Sequence, residues 1–106
     1  MQQHTVHFRE DVYSDLDSIY DYISKKSSFD VADKYTQRII KLCLSLEYLP
    51  NRGSLIPSHI DGLRFIGFER RATILFRVVE REVIILRIFY GGQDIDPILE
   101  RILAKL

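Results

Sequence analysis

The apolar residues of this chain change their spacing once, near Gly62, and that change limits the fold more than any other feature. Before it, Val12, Leu16, Ile19 and Ile23 recur at intervals of four, three and four. Such a stripe is one face of an amphipathic helix. Ala32, Tyr35, Ile39, Leu42, Leu46 and Leu49 follow at alternating three- and four-residue steps. They predict a second, longer helix with a coiled-coil-like seam. Ser27, Ser28 and Asp30 lie between the two and carry capping side chains. Two amphipathic helices with so short a break predict an antiparallel helical hairpin. Glu10, Asp11, Asp15 and Asp17 gather at the first helix's start and Lys25 and Lys26 at its end. The helix dipole favours that arrangement.

From Gly62 onward the pattern is that of strands. Arg64, Ile66 and Phe68 alternate with Leu63, Phe65 and Gly67. Ala72–Val79 and Val83–Phe89 are rich in β-branched and aromatic residues, and Glu80-Arg81-Glu82 between them makes a hairpin the simplest connection. The second run is almost continuously apolar, as expected of a central strand covered on both faces. His4–Phe8 reads as a further short strand. Pro50-Asn51-Arg52-Gly53 ends the second helix. Asp96-Pro97 reads as an N-cap followed by a first-turn proline, opening a short C-terminal helix with Ile98, Leu99, Ile102, Leu103 and Leu106. The expected class is α+β, ordered β-α-α-β-β-β. The hairpin packs on one face of a small antiparallel sheet, and the other face is solvated, covered by a partner or used.

At 106 residues, 46% hydrophobic and 28% charged, the chain has the length and composition of one globular domain, taken as residues 1–106. One cysteine, Cys43, excludes an internal disulfide. The opening residues lack the basic and apolar regions of a signal peptide, and the apolar runs are too short for a membrane span. The expectation is a cytoplasmic protein with no membrane partner. Fifteen bases balance fifteen acids, which fits poorly with a protein living on phosphate contacts. The balance hides an asymmetry. Residues 10–34 carry seven acids and three bases, whereas residues 62–93 carry six arginines and three glutamates. Arginine forks suit carboxylates and phosphates, so the sheet is a candidate surface for an acidic partner segment. The structural alternative is edge decoration and local salt bridges.

No glycine-rich phosphate loop, zinc-protease motif or paired-cysteine site is present. Three scattered histidines assemble no triad, and no metal ligand set or cofactor site is expected. No catalytic residue is assigned. An enzymatic reading would have to rest on arginines and tyrosines, residue types able to assist RNA cleavage by the 2′-hydroxyl.

The ordered elements resemble the ParE branch of the RelE/ParE superfamily, toxins of type II toxin–antitoxin modules, from about Val6 to Asp94. The resemblance is carried by Asp15-Leu16, Ile19 and Tyr22-Ile23, then Ala32, Tyr35 and Ile39, then Leu49-Pro50 and Gly53. It continues through Gly62-Leu63-Arg64, Ile85-Leu86-Arg87-Ile88 and Gly91 to Asp94. It implies two helices against a sheet and a cognate antitoxin encoded beside the toxin, forming a hetero-oligomer with it. For the ParE branch it implies DNA gyrase as target; for the RelE branch, ribosome-dependent mRNA cleavage. RelE-like ribonucleases are strongly basic and carry an arginine where this chain has Thr73 or a close neighbour. They also place a base and a tyrosine after the last strand. Here that stretch reads Gly91-Gly92-Gln93-Asp94-Ile95. The reading is therefore a gyrase-binding toxin. The alternatives are a relocated ribonuclease site using Arg64, Arg70, Arg87 and Tyr90, and a non-toxic antitoxin-binding remnant. No direct sequence-specific DNA binding is expected of this chain alone. The expected target surface is Arg87, Phe89, Tyr90, Gln93 and Asp94, and the expected antitoxin surface is Arg64, Arg70, Arg71 and Arg77. Arg87 has an alternative role as a cross-sheet salt bridge to Glu69 or Glu80, and Phe89 as core. Tyr20 and Tyr35 read as core.

Overall fold

A short strand, β1 (Thr5–Phe8), leads into two helices of equal length, α1 (Glu10–Lys26) and α2 (Phe29–Ser45). The computed structural model describes residues 3–92 and 94–105. The Ser28 hydroxyl accepts the Val31 N–H at 3.1 Å and caps α2. Val12, Ile19 and Ile23 of α1 and Ala32, Tyr35, Ile39 and Cys43 of α2 are buried. The expected seam of the second helix stops short. α2 ends at Ser45, and Leu49 is 55% exposed. Pro50 disfavours helical backbone at the residue before it, so the helix closes earlier. The Ser45 hydroxyl donates to the Leu42 carbonyl and accepts from Arg52, fastening the end.

The remaining strands are β2 (Ser54–Leu55), β3 (Leu63–Phe68), β4 (Ala72–Val79) and β5 (Glu82–Tyr90), and a helix, α3 (Asp96–Lys105), follows. The sheet order is β1-β5-β4-β3-β2. β2 to β5 are antiparallel, but β1 pairs parallel to β5, so the sheet is mixed rather than antiparallel throughout. The helical hairpin lies between β1 and the other strands in sequence, the sort of long connection that parallel pairing requires. The β4–β5 loop is Glu80-Arg81 only, because Val79 and Glu82 are already paired.

Two apolar clusters sandwich the sheet. The first, with Ile39, Ile74, Phe76 and Ile85, lies under the helical hairpin. The second, with Ile60, Leu63, Leu75, Leu86 and Phe89, is covered by Ile98, Leu99, Ile102 and Leu103 of α3. The outer sheet face, expected to be open or partnered, is thus filled by the chain's own C-terminal helix. Glycine is required at two corners. A Cβ on Gly53 would strike the Phe65 carbonyl oxygen, one on Gly62 the Val78 carbonyl oxygen, and both residues have positive φ. Among the described residues, no helix is long and apolar enough to cross a membrane.

A candidate interaction cleft beside the last strand

A β-bulge decides what β5 presents. Ile85 pairs with Phe76 and Arg87 with Leu75, which leaves Leu86 as the extra residue. Val83 and Ile85 face the helical hairpin. Simple alternation would carry Phe89 to that face and Tyr90 away from it. The bulge exchanges them. Phe89 joins the outer cluster at 3% exposure, while Ile88 and Tyr90 pack on the helical side.

The same bulge aims Arg87 at α1. Its Nε and Nη2 donate to the two Asp15 carboxylate oxygens at 2.8 and 2.9 Å. The Ile88 backbone N–H donates to Asp15 Oδ2 at 2.9 Å. The expected pairing of Arg87 with Glu69 or Glu80 does not form. Glu69 is held instead by a two-pronged bond from Arg38 at 2.8 and 2.9 Å. The Asp15 bond holds Arg87 charged beyond the ordinary guanidinium range, and Arg38 holds the Glu69 carboxyl below its usual range. The Arg87 guanidinium also lies 5.6 Å from the Phe89 ring centre.

Around this pair opens a cleft of about 570 Å³, with Asp15, Ser18 and Tyr22 of α1 on one wall. Tyr90, Gly91 and Gly92 form the other, and Arg71 and Arg87 contribute the bases. Asp15 and Tyr22 lie seven residues apart, about two helical turns, and so share a face of α1. Tyr90 stands edge-on to Tyr22 at 5.7 Å and to Tyr35 at 5.6 Å. Behind it the Tyr35 hydroxyl is buried with no hydrogen-bond partner among the described residues. Burial, with Tyr90 and Glu69 nearby, pushes the Tyr35 pKa up to about 12. Cys43 is fully buried and its thiol is pushed up to about 12 by desolvation, so it is an inert packing residue.

The structure separates the expected site residues. Arg87 and Tyr90 share the cleft, whereas Phe89 is turned to the opposite face beneath α3. The Asp94 carboxylate accepts the Asp96 N–H at 3.3 Å, taking the capping role expected of Asp96 itself. Gln93 lies outside the described residues. Of the proposed antitoxin arginines, Arg64 donates to the Arg52 and Asn51 carbonyls and Arg77 to the Asp61 carbonyl. They pin loops on opposite sheet faces, so the arginines form no single basic face. Arg70 and Arg71 lie at the β3–β4 turn and are exposed. Only Arg71 reaches the cleft. Sequence reasoning missed Asp15, Ser18 and Tyr22 as cleft residues. The seven-residue spacing of Asp15 and Tyr22 was the available signal.

A second, apolar groove of about 330 Å³ runs between Leu55, Phe65, Leu75 and Phe89 and the α3 residue Leu99. It is the seam where α3 docks.

Comparison with known proteins identifies the arrangement. Residues 6–95 match the family described as the ParE toxin of the type II toxin-antitoxin system, parDE. No curated protein matches the sequence. The fold is similar to a chain of the chromosomal ParDE toxin–antitoxin system from P. aeruginosa, with a TM-score of 0.72 and 29% identity. That alignment covers 87% of this chain and 100% of the other. A chain of the RelBE2 toxin–antitoxin complex from Mycobacterium tuberculosis shares the fold at 18% identity and a TM-score of 0.62. It aligns over 83% of this chain and 98% of its own. With the family pattern met from β1 to the start of α3, this chain belongs to the ParE family of type II toxin–antitoxin toxins.

Proposed function

We propose that this protein arrests growth by binding DNA gyrase and is neutralised in the cytoplasm by a cognate antitoxin encoded beside it. The match to the ParE toxin family over residues 6–95 carries the reading. The balanced charge supports it against ribosomal RNA docking, and the resemblance puts the position of the RNase arginine at or near Thr73. The surface assigned to the target is the cleft end of β5, with Arg87 and Tyr90 and the segment from Gly91 to Asp94. Arg87 serves there chiefly by positioning, because Asp15 already holds both prongs of its guanidinium. Arg70 and Arg71 are assigned to the acidic antitoxin, while Arg64 and Arg77 act through the loops they pin. One observation keeps a second reading in play. The cleft gathers Arg71, Arg87, Tyr22 and Tyr90, residue types suited to in-line RNA cleavage.

Expression in a bacterial host separates the readings. The protein alone should stop growth with loss of plasmid supercoiling, and co-expression of the adjacent gene should restore both. Growth arrest accompanied by ribosome-dependent mRNA cuts and normal supercoiling would overturn the gyrase assignment in favour of ribonuclease action. Growth without arrest would leave an antitoxin-binding remnant.

A further inference from the structure

The sheet ends at β1, the first strand in the order β1-β5-β4-β3-β2. Three backbone bonds fix which of its groups face outward. Thr5 N–H donates to the Arg81 carbonyl and Arg9 N–H to the Ile85 carbonyl, so Thr5, His7 and Arg9 turn their main-chain groups to β5. His4 N–H points the other way and donates to the Glu47 carbonyl at 2.8 Å. Main-chain groups alternate along a strand, so Val6 and Phe8 each present an N–H donor and a carbonyl acceptor to the outside. No strand lies beyond them.

This open lane is short and bounded at both ends. Glu47, just past α2, occupies the place opposite His4. At the other end the chain leaves the sheet at Arg9 and enters α1. Beside the edge His4, Thr5 and Val6 share with Leu44 and Glu47 a hollow of about 480 Å³, where Leu44 is exposed. β1 carries neither proline nor lysine, residues that commonly blunt an edge strand.

We propose that two copies of this chain pair through β1, antiparallel about a twofold axis at His7. In that register Val6 of each copy lies opposite Phe8 of the other, and four main-chain bonds satisfy the open groups of both strands. An axis at Val6 would set Phe8 opposite His4, whose N–H Glu47 already holds. An axis at Phe8 would set Val6 opposite Glu10, which is already in α1. Only the axis at His7 uses every open group. The contact is isologous, so it closes at two copies and joins two five-stranded sheets into one.

The shape of the lane argues for a second copy over a longer strand. With the axis at His7, the place opposite His4 falls to the partner's Glu10, where the partner's chain has left the sheet for its own α1. Each copy thus vacates the lane where Glu47 of the other closes it. A longer extended segment would run into Glu47. Charge agrees with this pairing. Arg9 of one copy comes opposite Thr5 of the other, one position from Glu47. Among the described residues neither Arg9 nor Glu47 is in an ion pair. The pairing uses Thr5 to Arg9 and none of the residues that line the cleft, so it stands apart from the gyrase and antitoxin readings.

The test uses the purified full-length chain alone. Light scattering should give twice the chain mass of 12.5 kDa at high concentration and fall towards the single mass on dilution. Cysteine pairs then read the register, because the native Cys43 is fully buried and does not compete. His7→Cys sets two thiols directly opposite each other, with Cα atoms about 4.5 Å apart and within disulfide reach. Thr5→Cys sets them four residues apart along the strands, about 14 Å and out of reach. Under mild oxidation His7→Cys should cross-link at least tenfold faster than Thr5→Cys. Val6→Pro removes an outward N–H and no β5 bond, at a position where an edge strand tolerates proline. It should be folded by circular dichroism and monomeric. A single-chain mass at every concentration would overturn the proposal. So would a dimer in which the two cysteine variants cross-link at equal rates, or one that persists in folded Val6→Pro. The cross-linking rates decide even where Val6→Pro does not fold.

Discussion

Asp15 carries three hydrogen bonds on one side chain, two to Arg87 and one to the Ile88 backbone, at only 11% side-chain exposure. Removing one partner of a nearly buried pair leaves the other uncompensated. Asp15→Asn should therefore cost about 2–3 kcal/mol, read as a fall in the thermal midpoint of about 10 °C. A midpoint within a degree or two of wild type would show the pair to be decorative. Tyr35 behaves oppositely. Its hydroxyl is buried without a partner, so Tyr35→Phe should stabilise by about 1 kcal/mol. Its pH signature has a definite sign. The folded pKa of Tyr35, about 12, lies above the ordinary 10.0, and that of Cys43, about 12, above the ordinary 9.0. Folding favours the protonated forms, so this contribution is whole below pH 9 and is lost as pH rises towards 12. Thermal midpoints measured from pH 8 to 12 should fall across that window, and less steeply in Tyr35→Phe.

At the scale of elements, the β3–β4 turn holds two non-glycine residues at positive φ, against one, Glu80, in the β4–β5 loop. Glu69 and Arg70 both hold positive φ, at 49° and 62°, at the centre of a turn closed by Arg71 N–H to the Phe68 carbonyl, within a three-residue connection. Asparagine and glycine are the residues that such a turn prefers. Arg70→Gly should raise stability by up to about 1 kcal/mol, measured by denaturant unfolding. Gly62→Ala should lower it by roughly 1–3 kcal/mol, because its φ is positive and the Val78 carbonyl blocks the methyl. Both helices of the hairpin and the four longer strands were legible in the sequence because apolar residues there follow a regular period. The bulge at Leu86 was not. One inserted residue leaves the apolar character of Val83–Phe89 unchanged while it swaps the faces of Phe89 and Tyr90. The two-residue β2 carries too few residues for a period. The end of α2 was misread because the seam continues through Leu46 while Pro50 and the Ser45 contacts close the helix.

Taken as a whole, the molecule is a ParE-family core with a helix added after it. The family match ends at residue 95, and α3 begins at Asp96. No α3 residue is fully buried, yet Ile98, Leu99, Ile102 and Leu103 roof the outer cluster around Phe89. A chain ending at Ile95 should lose about 3 kcal/mol of stability and bind a hydrophobic dye at the bared sheet. An unchanged midpoint would show α3 to be a passenger. The candidate site was legible only in part. Arg87 and Tyr90 were drawn from the last strand, but their partners Asp15 and Tyr22 lie on α1, and which tertiary face meets which depends on the bulge. The most direct test of the central claim is a gyrase supercoiling assay with purified, folded protein, run with and without the product of the adjacent gene. The account predicts inhibition that the partner relieves. Full supercoiling at every excess of toxin, with or without that partner, would contradict it.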